Sequence, residues 1–227
     1  MIEPRAVLWD LDGTLIDSEE FHWIAWRDTL ANRGISITRE QFLSSFGQRN
    51  DAIIPQWLGA AATPDRVAEV ANAKEQLYRD LIRKNGIPPL PGVATWLRRL
   101  HEQGWFQVIA SSAPRLNIDA VVDAVGAAQY FEGIVSAEEV QRGKPDPEVY
   151  LTAASRVDTP PARCIVVEDA AAGIEGARRA GMRSIGVSRH GHPLPADIVV
   201  QSLDLLAPDA FERLLNDRSA CIRPTVS

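Results

Sequence analysis

Short apolar runs recur along the chain, and each ends abruptly in polar residues. The first, Ala6-Val-Leu-Trp-Asp10, stops at Asp-Leu-Asp-Gly; others cover 106–110, 133–135, 164–167, 184–187 and 197–200. Continuous rather than alternating apolar runs suit strands buried on both faces, as in a parallel sheet. Between most of them lie stretches with helical spacing, at 93–103, 115–125, 147–156, 171–180 and 203–215. Strands alternating with helices predict right-handed crossovers and an α/β fold with a doubly wound, mainly parallel, Rossmann-like sheet.

The rhythm breaks between residues 19 and 85. Helical patterns fall at 20–33, 39–45, 51–58 and 65–83 with no convincing strand, and Asn85-Gly-Ile-Pro-Pro-Leu-Pro-Gly92 follows. That segment cannot continue a helix. The pattern predicts a small helical cap, residues 17–87, inserted after the first strand of a discontinuous core formed by 1–16 and 88–227. There is no internal repeat or low-complexity segment, and residues 218–227 are expected to be poorly ordered.

Composition narrows the class without naming an activity. The 227 residues are 45% hydrophobic and 24% charged, ordinary for a soluble globular protein that needs no disulfide or metal in order to fold. Cys164 and Cys221 lie far apart and outside any CxxC pair, which fits a reducing compartment, with Cys164 as a small apolar strand residue. No run approaches the ~20 apolar residues of a membrane span, and the first residues lack a signal-peptide pattern. A net charge of −6 argues against a nucleic-acid partner. Anionic substrates stay open, because local cations can reverse the field inside a cleft. The expectation is a cytoplasmic protein without nucleic-acid or membrane partners. Its acidic surface and the exposed-looking Trp57 and Trp96 are compatible with a monomer or a weak homodimer.

In open α/β sheets ligands bind beyond the carboxyl ends of the strands, so the polar residues closing each run are the candidates for chemistry. Alternation places Asp10 and Asp12 on one side, where two carboxylates can share a cation, and Gly13 permits a sharp turn; the alternative is a turn with a helix cap. Ser111 closes the second run and, with the N–H groups that follow, can hold a phosphate oxygen; the alternative is an N-cap. Lys144, in Gly143-Lys-Pro-Asp-Pro147, sits in a stiff turn where its ammonium can neutralise a carboxylate and a phosphate; otherwise it is an exposed lysine. Glu168 and Asp169 are adjacent acids that repel each other unless a cation is present, although Asp169 alone could cap the next helix.

Taken in order, Asp10-Leu-Asp-Gly-Thr14, Ala110-Ser-Ser112, Gly143-Lys-Pro-Asp-Pro147 and Val167-Glu-Asp-Ala-Ala-Ala-Gly-Ile174 resemble the haloacid dehalogenase superfamily of phosphotransferases over nearly the whole chain. The helical insert resembles the small cap of the subfamily containing β-phosphoglucomutase and several sugar-phosphate phosphatases. The resemblance implies Asp10 as nucleophile forming an aspartyl-phosphate, Asp12 as general acid/base, and Ser111 and Lys144 as phosphate-holding residues. It also implies Mg²⁺ held by Asp10, the Asp12 carbonyl and Asp169, with Glu168 directly or through water. The metal-free dehalogenases of the superfamily lack the second aspartate, and its transport ATPases carry threonine there; this chain has Asp12.

In the cap, His22 and Trp26 are i,i+4 neighbours on one helix face and match a His-x-x-x-Trp shared with β-phosphoglucomutases, where the histidine couples sugar binding to placement of the acid/base. Arg49, in Gly47-Gln-Arg-Asn-Asp51, resembles a cap-loop residue reaching the active site and suits a phosphate ligand; otherwise it is an exposed loop arginine. Lys74 could face the cleft, but on an amphipathic helix a solvated lysine is the safer reading. Phe46, where the mutases usually carry lysine, and Pro114-Arg115 depart from the mutase pattern. The expected function is a Mg²⁺-dependent phosphatase of small phosphorylated metabolites, sugar or polyol phosphates foremost. A β-phosphoglucomutase-like phosphomutase is the alternative, and a catalytically silent binding protein is a third reading.

Overall fold

The computed structural model describes residues 3–45 and 48–217. Phe46, Gly47, Cys221 and the expectation of a poorly ordered 218–227 lie outside them.

Six strands form one parallel sheet: β1 (Ala6–Trp9), β2 (Phe106–Ala110), β3 (Gly133–Val135), β4 (Cys164–Glu168), β5 (Arg183–Val187) and β6 (Ile198–Val200), in the spatial order β3-β2-β1-β4-β5-β6. From β1 the chain builds outward on one side through β2 to β3, then returns to place β4 on the other side of β1. The topological switch point, where ligands collect in such sheets, therefore lies between β1 and β4. In register, Ala6 pairs with both Phe106 and Cys164, and Trp9 with both Ile109 and Val167.

The strands read as unbroken apolar runs because both faces are covered. Val7 and Trp9 point into one buried cluster with α5 (Val93–Glu102), α6 (Arg115–Val125) and α9 (Ala210–Asn216), while Ala6 and Leu8 point into another with α7 (Glu148–Arg156) and α8 (Ala171–Arg179). Cys164 is fully buried in the second cluster, and burial pushes its thiol pKa up to about 12. It is a packing residue rather than a nucleophile.

Four helices follow β1: α1 (Glu19–Ala31), α2 (Arg39–Ser45), α3 (Asn50–Leu58) and α4 (Pro64–Asn85). They enclose their own apolar cluster around Trp26, Leu30, Phe42, Ile54 and Val70. Thr63 caps α4 by accepting from the Arg66 N–H, with Pro64 in the first turn and Arg83 and Lys84 in the last, the arrangement that capping and the helix dipole favour. No helix of the described residues is long and apolar enough to cross a membrane.

Three expectations are corrected. The helix expected over 203–215 is two pieces, a 3-10 turn (Leu203–Leu205) and α9, because Pro208 cannot supply a helical N–H. Trp96 is only 3% exposed, its indole donating to the Leu203 carbonyl at 2.8 Å, and Trp57 is half-buried against Trp26. Lys74 is 2% exposed rather than solvated. It lies on the α4 stripe Val70-Lys74-Tyr78-Ile82, all buried, so its ammonium has to find partners inside the protein.

Candidate active site

Asp10 follows β1 directly, its backbone N–H donating to the Val167 carbonyl across the switch point. Glu168 closes β4 and Asp169 follows it. One carboxylate oxygen from each of Asp10, Glu168 and Asp169 falls within 4.8 Å of the other two. Lys144 reaches in from the turn before α7, its ammonium donating to Asp10 and, at 2.7 Å, to Glu168; only 9% of its side chain is exposed. The Tyr150 hydroxyl adds a hydrogen bond to Glu168 at 3.2 Å.

Two glycines make room for these acids. A side chain on Gly13, whose φ is +87°, would overlap the Asp169 carboxylate, and one on Gly173 would overlap that of Glu168. Gly13 meets two demands at once, a left-handed turn and a close approach.

The charge is unbalanced. Burial, followed by the neighbouring Glu168 and Asp169, drives the Asp10 pKa well above the usual carboxylate range despite Lys144. Burial and Glu168 raise Asp169 to about 7. Lys144 is shifted upward: burial opposes its charge, but Asp10 and Glu168 outweigh that. Three carboxylates against one ammonium form a cluster of hard oxygen donors that lacks positive charge, the donor chemistry suited to a divalent cation such as Mg²⁺.

Asp12 belongs elsewhere. The reading that its carboxylate shares a cation with that of Asp10 is corrected: β1 ends at Trp9, so strand alternation has lapsed by the turn at Asp12 and Gly13. The Asp12 carboxylate instead accepts from the Ser18 hydroxyl at 2.5 Å and from His22 Nε2 at 3.3 Å. Lys74 Nζ lies 2.9 Å from His22 Nδ1. An ammonium only donates, so Nδ1 accepts and Nε2 carries the proton directed at Asp12. Burial alone would raise the Asp12 pKa, but the hydrogen bonds from His22 and Ser18 and the charge of Lys74 bring it below the usual value.

Lys74 also donates to Glu75 at 2.9 Å, and Glu75 accepts from Asn50 at 2.6 Å and from Asn117 on α6. This network joins α1, α3 and α4 to α6. Glu75, Asn50 and Asn117 were missed in the sequence, and Lys74 was read as solvated although its place in an apolar i,i+4 stripe was a readable sign of buried charge.

The remaining candidates divide. Ser111 is buried and its hydroxyl accepts from the Ala113 N–H at 3.0 Å. It is not the cap of α6, which begins after Pro114. Asp169 likewise leaves the cap position of α8 to Ala170. Trp26 lies under Lys74, 5.0 Å from ring centroid to ammonium. Arg49 is not drawn to the acidic cluster; it pairs with Asp51 and donates to the Ala137 carbonyl at 3.2 Å, bridging α3 to the core. A cavity of about 520 Å³ opens between the helices after β1 and the sheet, with Asp12, His22, Trp26, Arg49 and Ser112 among its lining. Asp10, Glu168 and Asp169 are not among its lining residues.

A doubly wound parallel sheet with acids and a lysine gathered at its switch point, beneath a helical insert, defines the class: an α/β protein with the site layout of the phosphotransferases it resembles. The chain belongs to the haloacid dehalogenase-like hydrolase family, whose sequence model matches residues 4–181. It is 33% identical to the β-phosphoglucomutase of Bacillus subtilis over 210 residues, covering 88% of this chain and 91% of that protein. It is 32% identical to hexitol phosphatase B of Escherichia coli over 193 residues, covering 82% and 86%. The crystal structure of β-phosphoglucomutase from Clostridium difficile superimposes with a TM-score of 0.84 at 27% identity, covering 94% of this chain and 97% of that one.

Proposed function

We propose that the protein is a Mg²⁺-dependent phosphatase of small phosphorylated metabolites, acting through an aspartyl-phosphate on Asp10. The observation that carries this reading is the Lys144 ammonium bridging Asp10 and Glu168 at the switch point, at the head of a three-carboxylate group. A carboxylate attacking a phosphate dianion requires positive charge on both partners. Asp10, Asp169, the Asp12 carbonyl and Glu168, directly or through water, would hold Mg²⁺, which when bound offsets the charge of nucleophile and phosphate.

The steps belong to the chain's own groups. An Asp10 carboxylate oxygen attacks phosphorus, and the bond from phosphorus to the alcohol oxygen breaks. Asp12, aligned by Ser18 and His22 and protonated once the phosphate dianion lies beside it, delivers that proton to the departing oxygen and then takes one from water, which attacks the aspartyl-phosphate and restores Asp10. Lys144 and Ser111 hold the phosphate oxygens.

The relative named hexitol phosphatase makes sugar and polyol phosphates the first class to test. Hydrolysis is favoured by the segment after Ser111. Pro114, which has no side-chain donor, lines the cavity, and Arg115 turns away to Asp119 at 2.8 Å. The contact of His22 with Asp12, together with the mutase relative, favours phosphomutase as a second reading. A screen of phosphorylated metabolites with Mg²⁺, including β-glucose 1-phosphate with and without a bisphosphate primer, separates the two. Free phosphate supports hydrolysis, glucose 6-phosphate supports the mutase, and no turnover of any ester with Mg²⁺ bound supports a silent binding protein.

A further inference from the structure

The cavity has a chemical gradient. Pro64, Val67, Ala68, Ala71, Lys74 and Glu75 of α4 all line it, at spacings of three and four that make one helix face about 15 Å long. Lys74 and Glu75 mark the end that meets His22 and Asp12; the rest of the stripe is apolar. Trp26, Phe42 and Ile53 also line the cavity.

Four polar side chains of the wall are already engaged within the protein. Asn50 donates to Glu75, Arg49 to Asp51 and the Ala137 carbonyl, Ser45 to the Phe42 carbonyl and Gln48 to the Ser44 carbonyl. A polyol drawn along this face exchanges water for the side chains of Pro64, Val67, Ala68 and Ala71, which offer no hydrogen-bond partner, at the cost of unpaired hydroxyls. An alkyl or alicyclic body loses nothing there and buries apolar surface. The small side chains of Ala68 and Ala71 leave the space open.

We infer that the substrate is a phosphate monoester of an alcohol with an apolar body of hexyl to cyclohexyl size, the phosphate at the strand ends and the body along the Pro64–Ala71 face of α4. This rests on the phosphatase reading above and, among small phosphate monoesters, sets apolar alcohols in place of the sugar and polyol class.

Isothermal titration in Mg²⁺ buffer compares heptylphosphonate with 3,4-dihydroxybutylphosphonate, non-hydrolysable mimics of hexyl phosphate and glycerol 3-phosphate. Heptylphosphonate is expected to bind about tenfold more tightly or better. Ala71→Leu fills the apolar end and should remove that advantage, while changing the affinity for the dihydroxy compound by less than about twofold. Ala68→Leu, at a more exposed position on the same face, reads the same effect if Ala71→Leu compromises folding. Equal affinities, a preference for the dihydroxy compound, or a preference that survives both leucine variants would overturn the inference. Turnover of the parent esters, both of primary alcohols, separates the two readings. Tight heptylphosphonate binding without phosphate release from hexyl phosphate upholds the apolar site and sinks the phosphatase. Phosphate release with glycerol 3-phosphate preferred does the reverse.

Discussion

Two buried charge clusters lie on either side of the turn at Asp12, and they are balanced differently. Around Asp10, three carboxylates share one lysine, and the pKa values of Asp10 and Asp169 are pushed up. Around Asp12, Lys74 pairs directly with Glu75 and reaches Asp12 through His22, Asn50 and Asn117 also donate to Glu75, and both acids are pulled down, as hydrogen bonds and Lys74 outweigh their burial. Burial is common to both, so it does not explain the difference; pairing does. The second cluster is complete in itself and joins the helices after β1 to the core. The first is short of positive charge, and its hard oxygen donors suit a divalent cation.

The largest expected effect comes from the first cluster. Asp10→Asn should lower phosphate release by about 10⁴-fold or more while leaving the thermal midpoint within a few degrees. Substantial remaining turnover would mean that the nucleophile lies elsewhere.

Next is the second cluster's stability. Lys74→Met leaves Glu75 buried with only Asn50 and Asn117, and should cost about 3–5 kcal/mol in urea unfolding. Adding Glu75→Gln to that variant should recover part of the loss; a double variant no better than the single would show that Lys74 is not there to balance Glu75.

The pH dependence separates the clusters more finely. The folded pKa of Asp169, about 7, lies above its unfolded value near 3.9. Between these values the native state keeps a proton that the unfolded chain has released, so this residue's contribution to stability falls as pH rises from about 4 to 7. Without divalent cations, the parent should lose stability relative to Asp169→Asn across that window, by up to about 1.4 kcal/mol per pH unit. Saturating Mg²⁺ should flatten the difference. Parallel pH profiles for the two proteins would contradict the charge imbalance.

The smallest effect is expected for Asn50→Ala, which removes one of several bonds to Glu75 and should cost about 1.5 kcal/mol. A loss as large as that of Lys74→Met would show that the amides, not the lysine, hold the second cluster.

Much of the fold was legible because the chain repeats one local signal. Apolar runs closed by polar residues located all six strands, two of them at their observed bounds (Phe106–Ala110 and Gly133–Val135), because a strand covered on both faces has to be apolar throughout. Asp10, Ser111, Lys144, Glu168 and Asp169 were singled out as candidates by the same rule, since each stands at or near the end of such a run or in the turn before a helix. The sequence by itself thus determined the elements, their alternation and the acids at the strand ends. Tertiary structure alone decided how those acids pair. It turned Asp12 away from Asp10 toward Ser18 and His22, and it buried Lys74 between His22 and Glu75. It also kept Arg49 on Asp51 and Ala137, away from the acidic group. The physical reason is that a charge's effect depends on the partners and solvent within a few ångströms, and residues 12, 22, 74 and 117 become neighbours only when α1, α4 and α6 pack together.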